Sequence, residues 1–329
     1  MNSPFTSSSA SRDTNHRFHP VLAPRLRALA DDPAQAVTPE AFAGLFAPAG
    51  PPEDWDLLLD DRAIPGPGGP LPVRVYRPAA DASERPCLVW MHGGAFVFGD
   101  LDMPEAHEVA RGIAGRAGAV VVSVDYRLCV GGVHFPAPHD DVVAAYRWVR
   151  DHAGDLGVDP ARIALGGASA GGNLAAGAAL RLRDEHQTLW QVLLAYPVLH
   201  PELPEPSTEL ADALATMPPG LLFAPEQTRQ LNAGYLGGPT ETASPYAFAG
   251  LCDDLRGYPP TYIDNDEFDS LRSSGERFAD QLHAAGTDVT HVTSPGVVHG
   301  HLNIVGLDVA HATLDRMAAR LSKGPHPHQ

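Results

Sequence analysis

Residues 162–180 read RIALGGASAGGNLAAGAAL. The first part, RIALGG, has the length and apolar character of a short buried strand. The last part, NLAAGAAL, has the composition of a helix. Between them sits Gly167-Ala168-Ser169-Ala170-Gly171. In a chain with 32 glycines a G-x-S-x-G pattern alone carries little weight. Its place between a strand and a helix is what makes it informative, because a nucleophile elbow is built there. So tight a turn has no room for large neighbours, which accounts for Gly167 and Gly171. Ser169 then stands at the N-terminus of a helix, where the dipole favours developing negative charge. A plain N-cap serine is the competing reading, and this stretch taken alone leaves both open.

Strand and helix patterns alternate on both sides of this turn. WDLLLDDRAI (55–64) and LPVRVYRP (71–78) flank PGPGGP and predict an antiparallel hairpin. CLVWM (87–91) and AVVVSVDY (119–126) read as buried strands, and DDVVAAYRWVRDHA (140–153) as a helix. After the serine helix come the strand WQVLLAYP (190–197), the strand PPTYIDN (259–265), the helix SSGERFADQLHAAG (273–286) and the strand DVTHVTS (288–294). A closing helix lies near 308–321. This order predicts an α/β fold with a mostly parallel central sheet covered by helices on both faces. Ligands then sit beyond the carboxyl ends of the strands.

Two stretches break the alternation. Residues 17–52 look helical with proline breaks, and residues 200–258 are proline-rich and weakly periodic. Both are expected to form a helical cap over that edge, with surface decoration as the alternative. The expected organisation is a disordered tail (1–16), the N-terminal part of the cap (17–52), the first part of the core (53–199), the cap insertion (200–258), the second part of the core (259–322) and a C-terminal tail (323–329).

The net charge of −17 argues against binding a phosphate backbone. No apolar run is long enough to span a bilayer, and the polar start lacks the apolar stretch of a secretory signal. Three scattered cysteines show no metal-type spacing and suggest reduced thiols, hence a cytoplasmic protein. No metal or organic cofactor is expected, and no nucleic-acid or membrane partner. A homodimer is compatible with this reading.

A serine hydroxyl needs a base to take its proton. SPGVVHGHLN (294–303) follows the last strand and offers His299, with His301 as its rival. His291 falls within a strand, and His283 and His311 on helices. The acid that orients the base is expected after the preceding strand, where Asp264, Asp266, Glu267 and Asp269 all lie. Position does not choose among them, and three of the four read as solvated loop charges. HGGAFVFGD (92–100) follows the strand CLVWM. Its small residues expose bare backbone, which suits an anionic oxygen formed only during a reaction.

At this point a resemblance becomes specific. HGGAFVFGDLD, VVSVDYRL, GGASAGGNLAA and the pair DEFDSLRSSGE with VVHGHLN resemble the bacterial hormone-sensitive-lipase-like esterases of the α/β-hydrolase fold. The resemblance implies Ser169 as nucleophile, Asp269 as acid and His299 as base. DSLRS matches the family's Asp-Pro-Leu-Arg-Asp at Asp269, Leu271 and Arg272. It also implies an oxyanion hole from the N–H groups of Gly94, Ala95 and Ala170, with Gly93 serving the turn and His92 a structural residue.

Three departures stand out. Ala95 replaces a glycine, so a positive φ there would be strained, although its N–H remains. Ala168 replaces the usual aspartate before the nucleophile. DYRLCVGGVHFP lacks the family's Ala-Pro-Glu after Leu128. The implied activity is hydrolysis of short-chain carboxylic esters through an acyl-enzyme, on a small-molecule ester substrate. Phe96, Phe98, Met103 and Leu302 are candidates to line an apolar substrate pocket, with ordinary core packing as the alternative for each. Competing functions are an amidase or peptidase with the same triad, and a non-catalytic ligand receptor on the same fold.

Overall fold

The break PGPGGP closes a hairpin. Strand β1 (Leu57–Gly66) pairs antiparallel with β2 (Gly69–Pro78), leaving residues 67–68 at the turn. The structure, a computed structural model, describes residues 17–31, 39–80, 84–218 and 221–323. The expected tails therefore fall outside the described residues, Lys323 apart, as does part of the first cap segment. Before the hairpin come helices α1 (Leu22–Asp31) and α2 (Pro39–Leu45). Arg25 holds them together by donating to the carbonyls of Leu45 and Ala47 at 2.9 and 2.6 Å.

Strands β3 (Arg85–Met91) and β4 (Val120–Val124) are short and buried, as their unbroken apolar runs predict. Between them lies a helix that the sequence reading did not place, α3 (Pro104–Ala117). Its buried face is Ala106, Val109, Ala110, Ile113 and Ala114, at helical spacing. The face is mostly alanine, so its apolar contrast is weak. Gly115 on this helix lies against the Trp55 ring, where a Cβ would come within 2.1 Å. That glycine serves close packing at the expense of helix propensity.

Then follow α4 (Ala137–Asp151), α5 (Ala153–Leu156), β5 (Val158–Ala168), α6 (Ala170–Asp184) and β6 (Gln191–Ala195). The second irregular stretch contains α7 (Thr208–Leu214) and α8 (Pro225–Leu236), with two single 3-10 turns after them. The chain returns through β7 (Thr261–Phe268), α9 (Arg272–Ala284), β8 (Val289–Val298) and α10 (Asp308–Lys323).

The eight strands form one sheet in the order β1-β2-β4-β3-β5-β6-β7-β8. From β4 to β8 every pairing is parallel. One face is packed by α4, α6 and α9, through residues such as Val142, Leu174 and Phe278. The other is packed by α3, α10 and α1, through Ile113, Leu314 and Leu26. The sheet order reverses at β3, which lies between β4 and β5. A crevice therefore opens beyond the carboxyl ends of β3 and β5. HGGAFVFGD leaves β3 there, and Ser169 leaves β5.

Both closing strands outrun their sequence patterns. β7 continues through Phe268, and β8 runs past Pro295 and Gly296 to Val298. Proline is tolerated because β8 is an edge strand. Gly296 takes φ +72°, and its carbonyl accepts the N–H of His19 at 2.8 Å. Among the described residues no helix is long and apolar enough to cross a membrane.

Candidate active site

Ser169 sits at a sharp strand-to-helix turn with φ +53° and ψ −118°. A non-glycine residue reaches that region only under strain. Both flanking glycines are required by contact. A Cβ on Gly167 would lie 2.4 Å from the Gly171 carbonyl. A Cβ on Gly171 would lie 2.2 Å from the Met91 carbonyl oxygen. The elbow is thus wedged against the end of β3.

His299 lies immediately after β8. Its Nε2 is 2.9 Å from Ser169 Oγ, and its Nδ1 is 2.7 Å from Asp269 Oδ2. The carboxylate can only accept, so Nδ1 carries the proton and Nε2 faces the serine hydroxyl as acceptor. Asp269 follows the last residue of β7. It is 1% exposed, and its other oxygen accepts the Leu271 N–H at 2.9 Å. Burial opposes the charged form of His299. The charge and hydrogen bond of Asp269, with further help from Asp266 and Glu105, outweigh it and raise the imidazole above its usual range.

The remaining acids are not solvated loop charges. β7 carries Asp264, Asp266 and Glu267, and the first two are fully buried. Asp264 accepts from Arg316 at 2.7 Å and from Ser294 at 2.6 Å. Asp266 accepts from His301 Nδ1 at 2.6 Å, so the rival histidine has a rival acid of its own. Glu267 accepts the Gly296 N–H at 2.7 Å. The longer strand is the reason: Asp264 sits inside it, and Asp266 and Glu267, beyond the expected strand end at residue 265, are strand positions beside β8.

The loop after β3 is pinned from below. Gly93 N–H donates to Glu105 Oε1 at 2.5 Å, and a Cβ at Gly93 would strike that same oxygen. Gly94 takes φ +114°, followed by Ala95 at +50° and Phe96 at +66°. The strain expected at Ala95 is therefore present. The N–H groups of Val97 and Phe98 fold back onto the Gly94 carbonyl at 2.9 and 3.0 Å. Among the described residues none accepts from the N–H of Gly94 or Ala95. The N–H of Ala170 belongs to the first turn of α6, where helices leave donors free.

Gly94, Ala95, Ser169, Ala170 and His299 all border one cleft of about 560 Å³. Its walls are largely apolar and include Phe96, Phe98, Met103, Val198, Leu231 and Leu271. Leu302 does not border it. That side chain is 3% exposed and packs in the core with α3 and α10, because the 3-10 turn at His301–Asn303 carries it away from His299. Phe96 is almost wholly buried and stacks on Tyr235 of α8 at 4.0 Å. His92 is buried beneath the loop, stacked on Tyr126 at 4.6 Å.

Four contributors escaped the sequence reading. Glu105 carries Gly93 and also accepts from Tyr196 at 2.5 Å and Asn303 at 3.1 Å. It lies on the unplaced helix α3, so nothing in the sequence singled it out. Tyr196 and Phe223 meet the His299 ring edge-on at 5.0 and 4.8 Å. Phe46, together with Phe223 and Leu231, also borders a second cleft of about 440 Å³ that meets the first at His299.

Comparison with known proteins agrees with the fold. Residues 88–303 match a family described as the alpha/beta hydrolase fold. The chain is 38% identical to carboxylesterase NlhH of Mycobacterium tuberculosis, over 75% of this chain and 76% of that protein. It is 36% identical to esterase LipI of the same organism, over 77% of each. Among solved structures, the hyperthermophilic esterase of Pyrobaculum calidifontis superposes with a TM-score of 0.72 at 36% identity, covering 80% of this chain and 85% of that one.

Proposed function

The chain belongs to the alpha/beta-hydrolase-fold family, among the hormone-sensitive-lipase-like esterases, and is a carboxylic ester hydrolase; on that premise we propose that it cleaves short-chain esters of small molecules through Ser169, His299 and Asp269. The observation that carries this reading is the unbroken relay from Ser169 Oγ through both nitrogens of His299 to a buried Asp269, opening on an apolar cleft.

Ser169 Oγ attacks the ester carbonyl while His299 Nε2 takes its proton. The carbonyl oxygen becomes an anion held by the N–H groups of Gly94, Ala95 and Ala170. Losing one such donor costs about 3 kcal/mol of transition-state stabilisation. Asp269 stabilises the imidazolium. The tetrahedral adduct collapses, the C–O bond to the alcohol breaks, and His299 returns the proton to the leaving oxygen. Water, deprotonated by His299, then attacks the acyl-enzyme and releases the acid and the free serine.

Residues 17–52 and 200–258 form the cap in this reading. It is supported by Phe46 from the first segment and Phe223 and Leu231 from the second, all of which border the clefts at His299. Phe96, Phe98 and Met103 contact the acyl or alcohol group. The cleft of about 560 Å³ suits short chains. Turnover of p-nitrophenyl esters of increasing acyl length, set against the matching anilide, tests the proposal. Short esters should turn over fastest and the anilide should not react measurably. Faster anilide turnover would make the protein an amidase.

A further inference from the structure

A second carboxylate–imidazole pair lies beside the first, and the mechanism above leaves it unused. β7 and the residue just after it supply both acids, Asp266 and then Asp269. The turn after β8 supplies both imidazoles, His299 and then His301. Asp266 and His301 are each fully buried. Their bond, Nδ1 to Oδ1, is 2.6 Å. The far nitrogen of His301 is 3.0 Å from Thr313 Oγ1 on α10, so this imidazole faces the core and not the cleft. The second oxygen of Asp266 is buried without a partner among the described residues. Tyr196 meets both imidazoles edge-on, with ring centres 5.0 Å from His299 and 5.5 Å from His301.

Such a pair is costly to bury and adds little stability over well-packed apolar side chains. Its position suggests a different use. We infer that Asp266 and His301 form a positioning pair, which braces from behind the turn presenting His299 and keeps a second carboxylate charge next to that imidazole. The inference rests on His299 being the base of the proposed triad. Neither residue touches substrate.

The brace follows from geometry. His301 is two residues from His299 and is tied at both nitrogens, to β7 and to α10. The turn between them contains Gly300 at φ +85°, whose carbonyl accepts from Asn303, and the two ties of His301 add a hold from behind. The charge follows from the surroundings. Asp269, Asp266 and Glu105 face His299 from β7 and α3, and all three favour its protonated form. Tyr196 adds only a neutral ring. Behind the pair, Asp264 and Arg316 offset each other at 2.7 Å, joined by Ser294. His301 itself is driven toward its charged form by Asp266 against its burial. Burial pushes Asp266 up to about 6 even with His301 favouring its charged form, so the second charge is present above that value and is partly offset by a protonated His301.

The test is the pH dependence of kcat and kcat/KM for a p-nitrophenyl ester in Asp266→Asn and in the double variant Asp266→Ala/His301→Phe. The first keeps an acceptor for His301 but removes the charge. The second replaces both groups with apolar ones, so no polar atom is orphaned, and it gives the same reading if the first does not fold. Both should move the acid limb of activity to lower pH, by about one unit at most. The plateau kcat should fall several-fold with KM little changed. A purely structural pair would lower the melting temperature and leave the limb in place. An unmoved limb with unchanged kcat in a folded variant overturns the inference. Phosphonate labelling of Ser169, run on the same samples, separates this from failure of the triad: an unlabelled wild-type serine sinks the esterase mechanism itself.

Discussion

Glu105 on α3 accepts the Gly93 N–H at 2.5 Å, one residue before the N–H groups that border the cleft. Its three partners, Gly93, Tyr196 and Asn303, are all donors to it. Only a carboxylate satisfies three donors at once. Glu105→Ala should therefore let the loop drift and mis-set the oxyanion donors. We expect kcat/KM to fall roughly 10- to 100-fold and the melting temperature to drop by several degrees. Glu105→Gln should fall between, since its amide turns one donor against another. Steady-state kinetics and a thermal melt check both.

The charges around His299 fix the direction of the pH profile. As the proposed base, His299 must be neutral to take the serine proton. Burial alone would ease deprotonation, but Asp269, Asp266 and Glu105 together raise the imidazole above its ordinary value of about 6.5. Activity should thus fall as pH drops through a point above the ordinary histidine range. An acid limb below that value in a kcat/KM profile would contradict this assignment of charges.

Gly171→Ala probes the elbow. The added Cβ would come within 2.2 and 2.3 Å of the carbonyl oxygens of Met91 and His92. Backbone on both sides leaves no flexible atom to yield. The expected cost is at least about 2 kcal/mol, with loss of activity because the serine turn must shift. Denaturant unfolding measures the first and ester turnover the second.

Asp269→Asn addresses the acid. The amide fits the space but cannot stabilise the imidazolium, and it can fix the wrong tautomer. A loss of up to about 10⁴-fold in kcat is expected. Asp266→Asn should cost far less, because Asp266 bonds His301 and not His299. The reverse pattern would move the acid role to Asp266.

How much of this was legible in the sequence depends on which force sets each feature. The elbow, the hairpin and the central strands follow from local patterns: bracketing glycines, a Pro-Gly turn and unbroken β-branched runs. α3 was invisible because its buried face is mostly alanine and its glycines answer to distant partners, Gly115 to Trp55 and Gly112 to Leu314. The ends of β7 and β8 were misjudged for a related reason. Asp266 and Glu267 look like loop residues until His301 and the Gly296 N–H arrive from elsewhere to satisfy them. Leu302 was misplaced because one 3-10 turn reverses the direction that nearness to His299 implies. Glu105 carries no sequence signal, since its partners are brought to it only by the fold.

Ser169, 2.9 Å from His299 Nε2, is the residue proposed to form the acyl-enzyme. The most direct measurement is mass spectrometry of the protein after reaction with a p-nitrophenyl phosphonate, with Ser169→Ala as control. One adduct is expected, mapped to Ser169, with ester hydrolysis lost in step with labelling. The alanine variant should be folded, unlabelled and inactive. Normal ester turnover by Ser169→Ala, or an adduct on a different residue, would contradict that role.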